Sequence, residues 1–452
     1  MKNNEALRCL LCKKPKCSLQ GCPVHTPVPE CMALYRADKL DEAGAVLFQN
    51  NPLSAITSQV CDWRQFCYGN CVLNVKKIPV RWYEIEQEIS DRYLFKHMLV
   101  RHSDALKGRR IALVGTGPVG MAAAVWLYQA GADITLYEAN LRLGGVLRYG
   151  IPGFRLDKKY VDVYESMFFL AGILFRGGVK VGRDVSLAEL SASYDAVLVG
   201  TGAEKPATLN IPGEERSVQA LPFLKDPSAF DVGPKVIVIG GGNVAMDACR
   251  MARKLGYETW VYYRKTFENM PANPVEVEAA QFEGVRFKLF QAPVELKEDG
   301  VVFRDCENVE PEDGGRVVTR IIEGTDHFVP CDTLITAISE KPDYDILEGT
   351  TVVRDEKGKP VWDNGQKLQG LPNVWVAGDF CLGATTVVEA VASAKIAVGS
   401  ITTTLGNSTA GLQGVPEVSL RDPVRANTSG TPCNPATSPA NTSGTPCTPA
   451  KG

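Results

Sequence analysis

The apolar positions of the chain fall into two strand–helix–strand patterns, each with glycines at its first turn. In the first pattern, apolar runs at 111–115 and 134–138 predict buried strands, and 118–130 predicts the helix between them. The second pattern begins with an apolar strand at 235–239 and continues as a helix over about 244–255. These alternations predict an α/β protein with two Rossmann-like nucleotide-binding domains.

The two ends of the chain lack this alternation. The N-terminal region is rich in cysteine, and the segment from Asn407 onward has no apolar periodicity and contains ANTSGTPC twice. Such a composition buries too little apolar surface to fold, so it predicts a disordered tail. The expected domains are a helical cysteine-rich domain at 1–105, a discontinuous first nucleotide domain at 106–232 and 341–405, a second nucleotide domain at 233–340, and the tail at 406–452.

Composition narrows the class of protein. The chain has 452 residues, which is enough for roughly three domains, and 45% hydrophobic with 22% charged residues is typical of a globular protein. A formal charge of −3 without a long basic run predicts no nucleic-acid partner. The N-terminus has no apolar signal-peptide core, and the most apolar stretch, 111–132, is interrupted by glycines. We therefore expect no membrane insertion and a reducing cytoplasm.

The first glycine fingerprint lies between a predicted strand and a predicted helix. Gly115, Gly117 and Gly120 permit a tight turn, close approach of a pyrophosphate and close helix packing. Glu138 ends the next strand, where a carboxylate accepts hydrogen bonds from a ribose hydroxyl of FAD or NAD. The alternative, a mere packing turn, explains the glycines but not the placement of the acid.

The second glycine fingerprint also lies between the first strand and the helix of its strand–helix–strand pattern. Gly240 and Gly242 are followed by Asn243, which we include in the site, and an alanine replaces the third glycine. Arg264 and Lys265 follow the second strand, where positive charge pairs with a 2′-phosphate. NADP(H) is therefore favoured, while NAD(H) stays possible if these residues are solvated loop cations.

Eight cysteines precede the first nucleotide fold, and seven of them fall into two closely spaced groups: Cys9, Cys12, Cys17 and Cys22, then Cys61, Cys67 and Cys71. Thiolates at such short spacings hold iron–sulfur clusters, and Cys22 directly precedes a proline, as a ligand of two-cluster ferredoxins does. Structural zinc is the alternative, because C-x2-C also begins many zinc modules. The two groups together contain an odd number of thiolates, which argues against two closed four-cysteine zinc sites built from them.

Five motifs carry a resemblance to a known family: RCLLC with GCP within 8–23, NNP at 50–52, GGVLRYGIPGFRL at 144–156, YRKTFENMPA at 263–272, and WVAGD at 375–379. Over about residues 5–405 the chain resembles the pyridine nucleotide–FAD oxidoreductases that include the glutamate synthase small subunit. This family also includes the electron-entry half of dihydropyrimidine dehydrogenase and the large subunit of the bifurcating NADH-dependent ferredoxin–NADP oxidoreductase. The resemblance implies a helical domain with two [4Fe-4S] clusters, followed by FAD and NAD(P)H domains.

The resemblance also implies roles for individual residues. One cluster would be held by Cys9, Cys12, Cys17 and Cys71, and the other by Cys22, Cys61 and Cys67 with a Glu or Gln on the following helix. That helix offers Glu86 and Gln87, and we prefer Glu86 because it follows a core aliphatic residue. The flavin would contact Gly145, Gly378, Asp379, Thr386, Val387 and Val388, with Asp379 on the ribityl chain. Ser339 departs from the family, which usually has glycine at this hinge position.

The function implied is an NAD(P)H-linked electron-transfer subunit that passes electrons between nicotinamide, FAD, two clusters and a partner catalytic subunit. No protein nucleophile or general base is required. The alternatives are a bifurcating ferredoxin–NADP oxidoreductase subunit and a self-contained flavin reductase acting on a small substrate. A thioredoxin-reductase type would need a redox C-x-x-C in its nucleotide domain, but the helix after Gly242 carries only Cys249.

Overall fold

A computed structural model of the chain describes residues 4–309 and 318–406. The predicted tail, apart from Gly406, lies outside the described residues. All described residues belong to one compact unit.

The N-terminal region is helical, as predicted. Its elements are α1 (Asn4–Arg8), α2 (Lys16–Leu19), α3 (Val28–Arg36), α4 (Leu40–Asn50), α5 (Ser54–Val60), a 3-10 helix (Val72–Lys76) and α6 (Trp82–Leu94). Helix α6 buries Trp82, Ile85 and Ile89, three residues whose spacing puts them on one face of a helix. They join Met32 and Leu47 in a core that holds the cysteine-bearing loops in place.

Strands and helices alternate in the next segment. The elements are β1 (Arg110–Val114), α7 (Pro118–Gln129), β2 (Asp133–Glu138), α8 (Val146–Tyr149), α9 (Lys159–Leu170), β3 (Leu174–Gly177), α10 (Leu187–Ser193) and β4 (Ala196–Val199). The predicted strand–helix–strand unit is therefore present with ends within about one residue of those read from the sequence.

The second nucleotide fold follows. Its elements are β5 (Lys205–Pro206), a 3-10 helix (Glu214–Arg216), β6 (Val218–Gln219), α11 (Ala220–Lys225), a 3-10 helix (Pro227–Ala229), β7 (Lys235–Ile239), α12 (Asn243–Lys254), β8 (Glu258–Tyr263), a 3-10 helix (Phe267–Asn269), α13 (Pro274–Phe282), β9 (Arg286–Leu289), β10 (Gln291–Leu296), β11 (Gly300–Val309), β12 (Val318–Ile321), β13 (His327–Pro330) and β14 (Thr333–Thr336). Its parallel sheet has the order β6-β14-β7-β8-β9, and β10 to β13 form an antiparallel sheet beside it. Because β6 pairs with β14, this fold uses residues that precede position 233.

The chain then returns to the first sheet. Its last elements are β15 (Glu340–Lys341), a 3-10 helix (Asp345–Leu347), β16 (Val374–Val376), α14 (Asp379–Leu382) and α15 (Val387–Leu405). Strand β16 completes a parallel sheet of order β16-β4-β1-β2-β3, which explains why this nucleotide domain is discontinuous in sequence. Leu53 and Ile56 of α5 share one hydrophobic core with Met121 of α7 and Ile401 of α15. The helical region and the first nucleotide fold are thus joined by packing.

Candidate nucleotide and cluster sites

The first fingerprint forms a turn that only glycine fits. Gly115 has φ +90°, and a Cβ on Gly120 would lie 2.0 Å from the carbonyl oxygen of Gly115. A Cβ on Gly117 would instead meet nothing nearer than Gly145 Cα at 3.8 Å. The space above Gly117, at the N-terminus of α7, is therefore open to a pyrophosphate, as the resemblance to FAD enzymes requires.

Glu138 lies at the end of β2 and closes this loop. Its Oε2 accepts hydrogen bonds from Thr116 N at 3.1 Å and Thr116 Oγ1 at 2.6 Å, and its Oε1 accepts from Asn140 N and Nδ2 at 2.9 and 2.8 Å. A carboxylate has about four lone-pair positions, so these donors occupy them all. A ribose hydroxyl at Glu138 would have to displace the Thr116 hydroxyl or the Asn140 amide.

Asp379 lies where β16 ends, beside the N-terminus of α15. Its Oδ1 accepts from Thr385 N at 3.1 Å and Thr385 Oγ1 at 2.6 Å, and no hydrogen bond to Oδ2 occurs among the described residues. Burial raises the pKa of Asp379 to about 6, although the Thr385 bonds oppose the rise. Thr386 caps α15 in a reciprocal capping box with Glu389. One oxygen of this half-buried carboxylate thus remains for a donor such as a ribityl hydroxyl.

The second fingerprint repeats the open turn. Gly240 has φ +141°, and a Cβ there would lie 2.2 Å from the carbonyl oxygen of Ala337, whereas a Cβ on Gly242 would have no neighbour within 4 Å. Asn243 begins α12 and accepts a hydrogen bond from Asn273 N at 2.9 Å. Arg264, after β8, is exposed and forms no salt bridge with another described residue. Lys265 beside it is half-buried.

A buried ion network joins the two nucleotide folds. Arg155, before α9, reaches Asp247 of α12 at 2.8 and 2.9 Å and Glu276 of α13 at 3.0 Å. The side chains of Arg155 and Asp247 are only 8% and 4% exposed. Burial raises the pKa of Asp247 to about 6 even though Arg155 opposes the rise. In the sequence, this network is indicated by an aspartate on the buried face of α12.

The seven grouped cysteines line two cavities in the helical region. The first cavity is lined by Cys9, Cys12, Cys17 and Cys71, and also by Cys67. Its wall near the surface includes Leu10 and Lys16. Burial raises the pKa of Cys17 to about 11, so the Cys17 thiol stays protonated until a metal cation replaces its proton.

The second cavity is lined by Cys22, Cys61, Cys67 and Glu86. Burial raises the pKa of Cys61 and Cys67 well above the usual range, with Glu86 adding to the rise, and it raises the pKa of Glu86 to about 8. No Lys or Arg is among the described residues that line this cavity. Three half-buried cysteines and a buried carboxyl are a donor set that fits a polycationic metal centre.

Gln87, the other residue considered as a ligand, points elsewhere. Its Nε2 donates to Asp91 Oδ1 at 2.6 Å and its Oε1 accepts from Ser58 Oγ at 2.9 Å. Gln87 is therefore already hydrogen-bonded outside the group of cysteines, while Glu86 lies among them. Within residues 4–309 and 318–406, no three His, Cys, Asp or Glu side chains are grouped so as to hold a single metal ion.

The two cavities and the flavin segment are neighbours. Val28, Cys67 and Trp82 line both cavities. Val388, expected near the flavin ring, lines the second cavity together with the cysteines. This contact between α15 and the cysteine-bearing loops was not expected from the sequence.

Comparison with known proteins identifies the families to which the two parts of the chain are similar. Residues 109–395 match the family described as pyridine nucleotide-disulphide oxidoreductase. The chain belongs to this family. Residues 1–98 match the family described as dihydropyrimidine dehydrogenase domain II, 4Fe-4S cluster. The predicted α/β fold with an N-terminal iron–sulfur domain is thus confirmed, and zinc is disfavoured.

Two relatives show which proteins this pyridine nucleotide-disulphide oxidoreductase resembles in sequence. It is 31% identical over 425 residues to the glutamate synthase [NADPH] small chain of Escherichia coli, covering 88% of this chain and 90% of that one. It is 33% identical over 430 residues to AegA of the same organism, covering 89% of this chain but 65% of AegA. The protein is therefore an FAD- and NAD(P)H-type electron-transfer oxidoreductase that resembles the glutamate synthase small chain, as predicted.

Solved structures support the fold of this oxidoreductase. FprA of Mycobacterium tuberculosis in complex with NADPH aligns with a TM-score of 0.56 and 21% identity, covering 66% of this chain and 84% of FprA. At this identity the likeness concerns the fold alone. Among the described residues, no helix is long and apolar enough to cross a membrane.

Proposed function

We propose that this chain is the NADPH-oxidising or NADP-reducing subunit of a larger complex, with FAD at the first nucleotide fold and two [4Fe-4S] clusters in the helical domain. The cofactors supply the chemistry, hydride exchange between nicotinamide and flavin and single-electron exchange at iron–sulfur centres. The chain binds and orients them. The name of the Escherichia coli relative supports this proposal, because it contains both NADPH and the term small chain.

The ligand sets follow the two cavities. Cys9, Cys12, Cys17 and Cys71 would hold the first cluster. Cys22, Cys61, Cys67 and Glu86 would hold the second, and the assignment of Cys67 to the second set is supported by the stronger electrostatic influence on it of Glu86 and Cys22 than of Cys17. Glu86 is preferred to Gln87 because the Gln87 amide is engaged by Asp91 and Ser58.

The observation that carries the proposal is the position of Val388. It follows the Thr386 cap of α15 and also lines the second cavity, so the expected flavin contact and the cysteine ligands share a wall. The second cavity in turn shares Cys67 and Trp82 with the first. This order supports a route from flavin to second cluster to first cluster.

The surface around the first cavity supports docking of a partner protein. Residues 6–29 and 63–83 contain no Asp or Glu. Five lysines in these segments are exposed and form no ion pair with other described residues: Lys13, Lys14, Lys16, Lys76 and Lys77. Exposed Leu10 and Val75 lie on the same segments. An acidic face of an electron-exchanging protein would complement this surface.

The test is to purify the chain anaerobically and measure iron, zinc and FAD in variants. We expect one FAD and about eight irons per chain, and Cys71→Ala should lose about half of the iron while keeping the FAD. Cys31→Ala is the matched control, since Cys31 is fully buried outside both cavities and should keep all the iron. Zinc in place of iron would refute the proposal. Rapid reduction of a small metabolite by the lone chain, surviving loss of the clusters, would favour the self-contained reductase.

A further inference from the structure

Helix α15 carries a buried lysine close to the second cavity. Lys395 is 8% exposed, and its Nζ donates to Asn50 Oδ1 at 2.7 Å and to the carbonyl oxygen of Val24 at 3.3 Å. No carboxylate pairs with Lys395 among the described residues. It lies two helical turns beyond Val388, on the helix that reaches both the flavin segment and the second cavity.

An ammonium group that is buried without an anion is costly, because neutral acceptors replace only part of its hydration. Burial lowers the pKa of Lys395, and the single opposing influence comes from Cys22. The Nδ2 of Asn50 is also buried and has no hydrogen-bond partner in the described part of the chain. The neighbourhood of Cys22 therefore holds a cation and an amide N–H without a matching anion.

We propose that Lys395 supplies the buried positive charge that stabilises the reduced state of the second cluster. The inference rests on the proposed function, which puts three thiolates and a carboxylate in the second cavity. Reduction by one electron, delivered from NAD(P)H through the flavin, adds one negative charge there and makes or breaks no bond. The attraction of the nearby ammonium offsets this added charge, so Lys395 raises the reduction potential without being a ligand.

A purely structural role is the competing explanation. Lys395 would then fasten α15 to the Cys22 loop through Val24 and Asn50, and its charge would be incidental. The two explanations differ in what neutral and charged substitutions do to the potential.

The experiment is an anaerobic dithionite titration of the FAD-loaded and iron-loaded chain, followed by electron paramagnetic resonance of each cluster. Lys395→Met and Lys395→Gln remove the charge, and the glutamine keeps a donor for Asn50, whereas Lys395→Arg keeps the charge. We expect the neutral variants to lower the reduction potential of the second cluster by at least about 59 mV, which is a tenfold change in its one-electron reduction equilibrium. The reduction potential of the first cluster should change less. Lys395→Arg should stay near the unaltered protein.

Lys158→Met is the matched control. Lys158 is another largely buried lysine whose Nζ donates to backbone carbonyls, those of Leu147 and Ile151, but the charges that affect it are Arg148, Asp247 and Asp157 and include no cysteine. It should leave both cluster potentials unchanged.

Unchanged potentials in the neutral variants would overturn the inference. Loss of the second cluster from all three Lys395 variants would also overturn it, in favour of a structural role, whereas loss from the neutral variants alone would support a required cation. Absence of any cluster from the unaltered chain would instead contradict the proposed function.

Discussion

Ser339 offers a direct test of backbone strain at a position where the family resemblance leads us to expect glycine. The residue lies between β14 and β15, and its φ is +104°, a value that side chains with a Cβ rarely adopt. Its side chain is exposed, and its Oγ makes only a long contact of 3.4 Å to the carbonyl oxygen of Glu340. Ser339→Gly should therefore remove strain and little else.

The size of the effect follows from two opposing terms. A non-glycine residue in such a region costs on the order of 1–3 kcal/mol, and glycine adds about 0.5–1 kcal/mol of chain entropy in the unfolded state. The net expectation is a stabilisation of about 0.5–2 kcal/mol. For a unit of about 400 residues, with an unfolding entropy of about 2.1 cal/mol/K per residue, each kcal/mol raises the midpoint of thermal unfolding by only about 1 °C.

The assay is differential scanning calorimetry of the FAD-loaded protein with two controls. Ser166→Gly makes the same change at an exposed position inside α9, where glycine should lower stability by about 0.5–1 kcal/mol. Ser339→Ala keeps the Cβ and should change stability by less than about 0.5 kcal/mol. If Ser339→Gly lowers the midpoint as Ser166→Gly does, the strain at position 339 is not real.

Three further predictions test the sites. Arg155→Met leaves Asp247 buried without its partner and should lower the free energy of unfolding by about 3–5 kcal/mol. Adding Asp247→Asn to this variant should restore part of the loss, as measured by denaturant titration. Additive losses from the two substitutions would show that the two residues are not coupled. Arg264→Ser should weaken NADPH binding about ten- to hundredfold in flavin-reduction titrations and leave NADH unchanged, so equal effects on both would assign the preference elsewhere. Glu86→Ala should lower iron content while Gln87→Ala keeps it, and the reverse result would exchange the ligand assignment.

Local patterns predicted the nucleotide folds well because the signals are short in sequence. Each apolar strand, its glycine turn and the following helix lie within about thirty residues, so the turn geometry and the helix start are set by neighbouring residues. Strand β1 and helix α7 begin within one residue of their predicted starts. The open space at Gly117 and Gly242 likewise follows from the fingerprint itself.

Contacts between distant segments were not predictable in this way. Arg155 meets Asp247 across 92 positions, and Lys395 meets Asn50 across 345. Both pairs depend on how the folds pack, and neither charge stands out in a sequence pattern that treats lysine, arginine and aspartate as surface residues. The sequence contains one signal of these contacts, which is a charged residue at a position where helical periodicity predicts burial. Both Asp247 and Lys395 occupy such positions.

The packing of α15 would keep the proposed electron route intact while a nucleotide binds and leaves. Helix α15 packs against α7 and α5 in one core, so the flavin loop, the Val388 contact and the second cavity are held by the same rigid helices. In the proposed route, electron transfer over this segment would need no domain motion. Hydride transfer would instead depend on the orientation of the second nucleotide fold, which the buried Arg155 network stabilises and to which the exposed Arg64–Glu278 pair at 2.8 Å adds little. Breaking the buried network should consequently impair reduction by NADPH while leaving electron exchange between dithionite-reduced clusters and flavin unchanged.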